Sequence, residues 1–240
     1  MEAFIASVEL GDWRGKTSID VLLAGYNFNY QGFEHPSLKY FKEEYRQDLK
    51  QVIAKIKELS PLTEFLMLRG GEPCLQRPAV EVIAKKAVQM QLSNVLFTNA
   101  SKPLDLKKLL DQGLFSTVVV DFIAPLNEKF ETIAKAGTFF KPGIEVALDV
   151  KKSFEILKKH ANNSSIGLVF ETKIIPGLLF RKQDLLQMAS ELQGIYCEWR
   201  LKPGMLPSRQ GLEKPSTKFL NQLKKEIKKE YPELMIIVED

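Results

Sequence analysis

The sequence predicts an α/β fold of six successive βα units, a mostly parallel sheet with helices on its outside, either open or curled into a partial barrel. Short apolar runs of strand length alternate with longer stretches whose apolar residues recur at helical spacing. The connections are short, which places successive strands parallel with a helical crossover between them. A complete barrel of the common kind needs about eight such units, so a closed one is not expected.

Ile19 to Leu23 is the first apolar strand, and Phe41, Tyr45, Leu49, Val52, Ile53 and Ile56 mark one face of a long amphipathic helix after it. Phe65 to Leu68 is the second strand, followed by a helix marked by Val80, Ile83, Ala84, Ala87 and Val88. Val95 to Thr98 leads to a short helix around Leu106, Leu109 and Leu110, and the β-branched run Thr117 to Phe122 forms the fourth strand. The stretch Asn127 to Gly143 has no decisive period. Val146, Val150, Phe154 and Leu157 then mark a helix, Leu168 to Ile174 the fifth strand, and Leu185, Leu186, Met188, Ala189 and Leu192 the helix after it. Tyr196 to Leu201 is the sixth strand, Phe219, Leu223 and Ile227 mark a last helix, and Leu234 to Val238 adds an edge strand. Residues 1–207 are expected to form the barrel and residues 208–240 a helix and edge strand packed on the same domain.

A chain of 240 residues, 45% hydrophobic and 27% charged, is long enough for one sizeable core and one domain. No apolar run approaches the ~20 residues that cross a bilayer. The segment MEAFIASVELGDWRG has acidic residues where a signal peptide has a basic region, so a cytoplasmic protein without a membrane partner is expected. Cys74 and Cys197 are the only cysteines; they cannot supply the four ligands of a structural zinc site or hold an iron–sulfur cluster. A formal charge of +4 permits nucleic-acid contact without requiring it.

Sites of such folds lie on the loops after the strands, here those following Leu23, Leu68, Thr98, Phe122, Ile174 and Leu201. In Leu66-Met67-Leu68-Arg69-Gly70-Gly71-Glu72-Pro73 an apolar strand ends in paired glycines just before a helical pattern. Such glycines let a backbone approach a ligand closely, and Glu72 can accept from an amine or hydroxyl; the same residues also suit a tight βα turn alone.

On the first loop, Gly25-Tyr26-Asn27-Phe28-Asn29-Tyr30-Gln31-Gly32-Phe33-Glu34-His35-Pro36 resembles the cluster loop of radical S-adenosylmethionine (SAM) enzymes, especially the anaerobic ribonucleotide reductase activating family. In that family the loop reads G-C-N-F-x-C-x-x-C-x-N-P, and its cysteine positions fall on Tyr26, Tyr30 and Phe33. Asp12-Trp13-Arg14-Gly15-Lys16 is similar to the family's D-Y-P-G-K, and Gly70 to Gln76 resembles its G-G-E-P-T-L-Q. Thr98-Asn99 resembles the start of its T-N-G, Asp121 to Pro125 its D-I-K-A-P, and Glu171 to Leu178 its R-T-T-V-V-P-G-L. The matches span roughly residues 10 to 207 in the family's order. They imply a radical-SAM-like (β/α)6 partial barrel.

The resemblance also implies a [4Fe–4S] cluster held by three thiolates, whose open iron binds and cleaves SAM. Tyr26 and Tyr30 offer phenols with an unperturbed pKa near ~10, poor replacements for thiolate. The family's lysine in D-I-K-A-P is Ile123 here, and its arginine in R-T-T-V-V-P-G is Glu171, which reverses the charge met by a ligand carboxylate. Gly70, Gly71, Glu72, Asn99, Asp121, Ile123 and Glu171 are thus expected to form a degenerate cofactor site. No cofactor is expected, and SAM is not the expected ligand.

The aromatic trio admits two explanations: it fills an emptied cavity, or it forms a stacking or docking surface. Arg69, Lys173, Arg200, Lys202 and Arg209 on the strand-end loops, with Lys224, Lys225, Lys228 and Lys229 on the last helix, are candidate anion or nucleic-acid contacts. Glu226 and Glu230 among those lysines also suit a solvated helix face. The functional expectation is a non-catalytic binding or regulatory subunit with a protein or nucleic-acid partner. The alternatives are a cluster-independent enzyme reusing Glu72, Asp121 and Glu171, or a weak SAM- or nucleotide-binding protein.

Overall fold

The computed structural model describes residues 1–206 and 213–239. Its strands are β1 (Glu2–Trp13), β2 (Lys16–Leu23), β3 (Arg46–Asp48), β4 (Phe65–Gly70), β5 (Ser93–Thr98), β6 (Thr117–Asp121), β7 (Gly167–Ile174), β8 (Glu198–Pro203) and β9 (Met235–Val238). The helices are α1 (Leu49–Leu59), α2 (Arg77–Gln89), α3 (Pro103–Leu110), α4 (Glu128–Ala134), α5 (Gly143–Asn162), α6 (Lys182–Glu191) and α7 (Thr217–Glu230). The sheet order is β3-β1-β2-β4-β5-β6-β7-β8-β9. Pairing is parallel from β2 to β4, β4 to β5, β7 to β8 and β8 to β9, and antiparallel where β1 meets β2 and β3. This is the α/β fold with a parallel-rich sheet that the alternation predicts. Among the described residues no helix is long and apolar enough to cross a membrane.

The chain divides into two compact units, one of Met1–Asn27, His35–Thr98 and Lys102–Val119, the other of Phe28–Glu34, Asn99–Ser101 and the chain from Val120. The first unit opens with a β1–β2 hairpin that the periodicity does not announce, because Glu9 and Asp12 interrupt its apolar alternation. Its turn places Arg14 at φ 56° and Gly15 at φ 78°, the left-handed pair that matches strand twist, and the Gly15 amide donates to Asp12 Oδ1 at 3.1 Å. The Asp12 to Lys16 motif is this turn. Helix α1 starts at Leu49 and not at Phe41: Asp48 caps it, accepting from the Lys50 amide at 3.0 Å. Phe41 instead leaves the helix line and packs against Phe4, ring centroids 5.2 Å apart.

In the second unit the unassigned Asn127 to Gly143 stretch contains the seven-residue α4, capped by Asn127 and ended by Lys135 in the left-handed region at φ 47°. Phe122, Phe154 and Phe170 meet edge to face with centroids 4.9–5.8 Å apart and form the aromatic centre of this unit. Trp199 is fully buried, its Nε1–H donating to Thr172 Oγ1 at 2.9 Å, while the Thr172 hydroxyl donates to the Phe122 carbonyl at 2.8 Å. On α7 the buried stripe is Leu220, Leu223 and Ile227; Phe219, expected inside, is 36% exposed, a one-residue rotation of the apolar face.

Thr172→Val keeps the volume but strips Trp199 of its acceptor and the Phe122 carbonyl of its donor. We expect a loss of about 1–3 kcal/mol in urea unfolding, with changed Trp199 emission in the native state.

Candidate functional site

In the first unit the strand-end loops after β2 and β4 are locked together through backbone. The Gly71 amide donates to the Leu23 carbonyl and the Glu72 amide to the Gly25 carbonyl, each at 2.7 Å. A Cβ on Gly71 would stand 2.1 Å from the Gly25 oxygen, and one on Gly25, at φ 89°, would stand 2.2 Å from the Phe41 ring. Both glycines are therefore required by loop-on-loop contact. Gln76 fastens the same region, donating from Nε2 to the Phe4 and Ala24 carbonyls at 2.9 and 3.0 Å and accepting the Phe4 amide at 2.7 Å.

Glu72 is fully buried in this frame. Its Oε1 accepts from the Cys74 amide at 2.9 Å and from Thr98 Oγ1 at 2.8 Å, so this oxygen caps the Pro73–Gln76 turn. Burial, then the charge of Glu72, push the Cys74 thiol well above its ordinary pKa, which makes it a poor ligand and a poor nucleophile. Arg69 on β4 reaches Asp20 at 3.3 Å and lies 5.1 Å over the Phe97 ring.

At the family's cysteine positions, Tyr26 and Tyr30 are 8% and 5% exposed and Phe33 is half-buried. The end of the Tyr30 ring lies against Gly32, where an added Cβ would come within 2.5 Å of the phenol oxygen and 2.7 Å of Ile175. The buried Tyr30 hydroxyl has no hydrogen-bond partner among the described residues. Burial first, then Asp121 and Glu34, push this phenol well above its ordinary pKa. Such burial is what cavity filling requires and what an exposed stacking platform would lack. Asn99, also buried, accepts the Ser101 amide at 3.1 Å, and Ile123 is buried at 2%.

The carboxyl ends of β6, β7 and β8 in the second unit carry a charge network. Lys173 binds Glu34 at 2.7 Å and the Gly32 carbonyl at 3.1 Å. Lys202 binds Glu171 at 2.8 Å and Glu239 at 3.2 Å, and Arg200 pairs with Glu198 and Glu239. Asp121 sits among these groups: burial raises its pKa to about 7, with Lys173 opposing that rise and Glu34 and Glu171 adding to it. Lys173, Arg200 and Lys202 are thus each matched by a carboxylate. On α7, Lys229 pairs with Glu226 at 2.6 Å, whereas Lys224, Lys225 and Lys228 form no ion pair among the described residues. Arg209 lies outside the described residues. Glu34 stands in the Gly25 to Pro36 loop and Glu239 directly after the edge strand, but no local pattern tells which cation either one meets.

No protein-family model and no curated protein matches the chain. Solved structures do. A radical SAM methyltransferase from Sphaerobacter thermophilus is similar over 96% of this chain and 68% of its own, with a TM-score of 0.68 and 13% identity. TYW1 with a lysine-pyruvate adduct bound is similar over 88% and 73%, with a TM-score of 0.61 and 13% identity. QueE from Escherichia coli is similar over 99% and 94%, with a TM-score of 0.56 and 10% identity. The chain therefore has the fold of radical SAM enzymes.

This finding corrects the expectation that no cofactor belongs here and that SAM is not the ligand. The fold is that of SAM enzymes, and SuiB from Streptococcus suis, similar with a TM-score of 0.60, was solved bound to S-adenosylmethionine. The expectation inferred the loss of every cofactor from the loss of cysteines and of two charged side chains. The strand-end glycine frame of Gly70 and Gly71 is retained, and it is independent of those side chains. A thiolate-held cluster is a separate matter: Tyr26, Tyr30 and Phe33 supply no thiolate, and burial disfavours phenolate at Tyr30, so the residues present do not fit a cysteine-type [4Fe–4S] centre.

Two outcomes follow. Gly71→Ala forces a methyl group onto the Gly25 carbonyl and is expected to cost about 1–3 kcal/mol in denaturant unfolding. For Asp121, the folded pKa of about 7 lies above the ordinary 3.8, so the folded state keeps a proton that the unfolded chain releases. Stability therefore falls as pH rises from about 4 to about 7 and levels off above that. Asp121→Asn should remove this component, its melting temperature gaining on the wild type steadily across that window.

Proposed function

We propose that this chain is a non-catalytic binding or regulatory protein on the radical-SAM fold, kin to the anaerobic ribonucleotide reductase activating proteins, that works by contacting a protein or nucleic-acid partner. The observation that carries this reading is the burial of Tyr26 and Tyr30 where the family places ligand thiolates. Aromatic rings packed into the interior hold the loop in shape and present no iron ligand. The alternative of a carboxylate enzyme finds less support, since Glu72 is engaged by Thr98 and the Cys74 amide and Glu171 by Lys202. A nucleic-acid partner would be met by Lys224, Lys225 and Lys228 of α7, because Lys173, Arg200 and Lys202 are already paired with carboxylates.

The test is anaerobic incubation with iron, sulfide and reductant, together with native co-purification. A stoichiometric protein indifferent to nuclease, or nucleic acid released steeply by salt, supports the reading; in the second case Lys224→Glu/Lys225→Glu/Lys228→Glu should abolish retention. A stoichiometric [4Fe–4S] absorption band with reductive cleavage of S-adenosylmethionine overturns it. S-adenosylmethionine is the small molecule the fold nominates. A saturable rise in melting temperature on adding it alone would make it an effector of the binding protein.

A further inference from the structure

The first unit leaves part of one strand edge open. β3 pairs with Glu2, Ala3 and Phe4 of β1, and Gln47 extends this cover by one group, its Nε2 donating to the Ile5 carbonyl at 2.6 Å. After an irregularity between Ile5 and Ser7, β1 runs on to Trp13 with β2 on one side and, among the described residues, no strand on the other. The two-residue turn at Arg14 and Gly15 makes Trp13 and Lys16 a hydrogen-bonded pair. Alternation then directs the amides and carbonyls of Gly11, Glu9 and Ser7 at β2 and those of Asp12, Leu10 and Val8 outward. The far end of β2 keeps the same alternation: the Leu23 carbonyl faces β4 and accepts the Gly71 amide, while the Ala24 amide turns to the Phe4 carbonyl at 2.8 Å. Leu10 is 47% exposed and Val8 half-buried, so the outward row is accessible, and such a row is a template for a further strand.

Charge decides what that edge accepts. Glu9 lies directly opposite Asp20 across β1 and β2, on the same face of the sheet. Asp20 has Arg69 at 3.3 Å and the Ser18 hydroxyl at 2.7 Å, whereas the exposed Glu9 forms no ion pair among the described residues. Two carboxylates at facing positions repel, and the place left for a cation beside Glu9 is the facing residue of an added strand. That place is a non-hydrogen-bonded position, where facing side chains stand closest. A second copy brings the wrong sign, because antiparallel pairing of two β1 edges gathers Glu9 and Asp12 of both along one ladder. The residues flanking the cation on an added strand fall on the opposite face, beside Val8 and Leu10, where apolar side chains fit.

We propose that the Val8–Asp12 edge of β1 binds an extended segment of a protein partner as an added strand, one that alternates apolar with basic residues and sets a lysine or arginine against Glu9. The proposal rests on the binding reading above and commits it to a protein. Main-chain bonds to Val8, Leu10 and Asp12 hold the segment, and Glu9 with the apolar pair selects it.

The test uses the full chain and two synthetic eight-residue peptides, one alternating lysine with valine and one alternating glutamate with valine, followed by fluorescence anisotropy and by amide hydrogen exchange. The lysine peptide should bind saturably below millimolar concentration, and the glutamate peptide about tenfold more weakly. Bound lysine peptide should slow exchange at Val8, Leu10 and Asp12 and leave Glu9 and Gly11, already bonded to β2, unchanged. Leu10→Pro removes an outward amide and no bond to β2; it should weaken binding about tenfold, because a peptide carbonyl loses its donor. Glu9→Lys, which asks nothing new of the backbone, should reverse the preference between the two peptides. No saturable binding, protection confined to sites away from the edge amides, or an unchanged preference in Glu9→Lys overturns the proposal. A reconstituted cluster that cleaves S-adenosylmethionine would overturn the reading beneath it while leaving these amides as they are, so the two failures are distinct.

Discussion

The approach of Gly71 to the carbonyl of Gly25 is the contact on which the strand-end architecture of the first unit depends. It brings the loop after β4 under the loop after β2, and the two amide bonds at 2.7 Å set the register of both. From that register follow the positions of Glu72, which caps the next turn, and of Cys74, sealed behind it. A Cβ on Gly71 would meet the Gly25 carbonyl at 2.1 Å and one on Gly70, at φ 108°, the Leu23 carbonyl at 2.8 Å, so the paired glycines are dictated by backbone crowding whatever the site does. Retention of Gly70-Gly71-Glu72 therefore testifies to fold first. Chemistry has to be argued from the side chains that surround it.

Those side chains favour burial and internal pairing. The loop after β2 buries the rings of Tyr26 and Tyr30. The second unit sets carboxylates against its own lysines: Glu34 on Lys173, and Glu171 and Glu239 on Lys202. Register makes this pairing necessary. Lys173 lies directly opposite Lys202 across β7 and β8, and two ammonium groups at adjacent positions repel unless anions stand between them. Asp121 forms no ion pair among the described residues, and burial dominates its pKa over the opposing charge of Lys173.

The alternation of strands and helices was legible because β4 to β7 carry buried apolar runs, β8 alternates around the buried Trp199 and Leu201, and most of the helices between them have a clear period. Two kinds of element were not. β1 is interrupted by acidic residues and owes its strand conformation to pairing with β2 and β3, a long-range cause that no local pattern carries. The seven residues of α4 are too few to establish a helical period, and its limits are set by the Asn127 cap and by Lys135 in the left-handed region. At the site, the glycines and Glu72 were visible as a motif. The partners of the cations were not, since Glu34 and Glu239 arrive from loops whose course depends on the folded sheet.

Tyr30 shows how far packing alone explains the loop after β2. A phenyl ring would fill the space against Gly32 and Ile175 equally well, yet the residue carries a buried hydroxyl that finds no partner among the described residues, at a cost of about 1–3 kcal/mol. Pure cavity filling selects against that oxygen. Phe33, the neighbouring member of the trio, has none, so the chain distinguishes between the two positions. Asp121 and Glu34 act on the Tyr30 phenol electrostatically, and both favour its protonated form, leaving a neutral O–H with a proton to give.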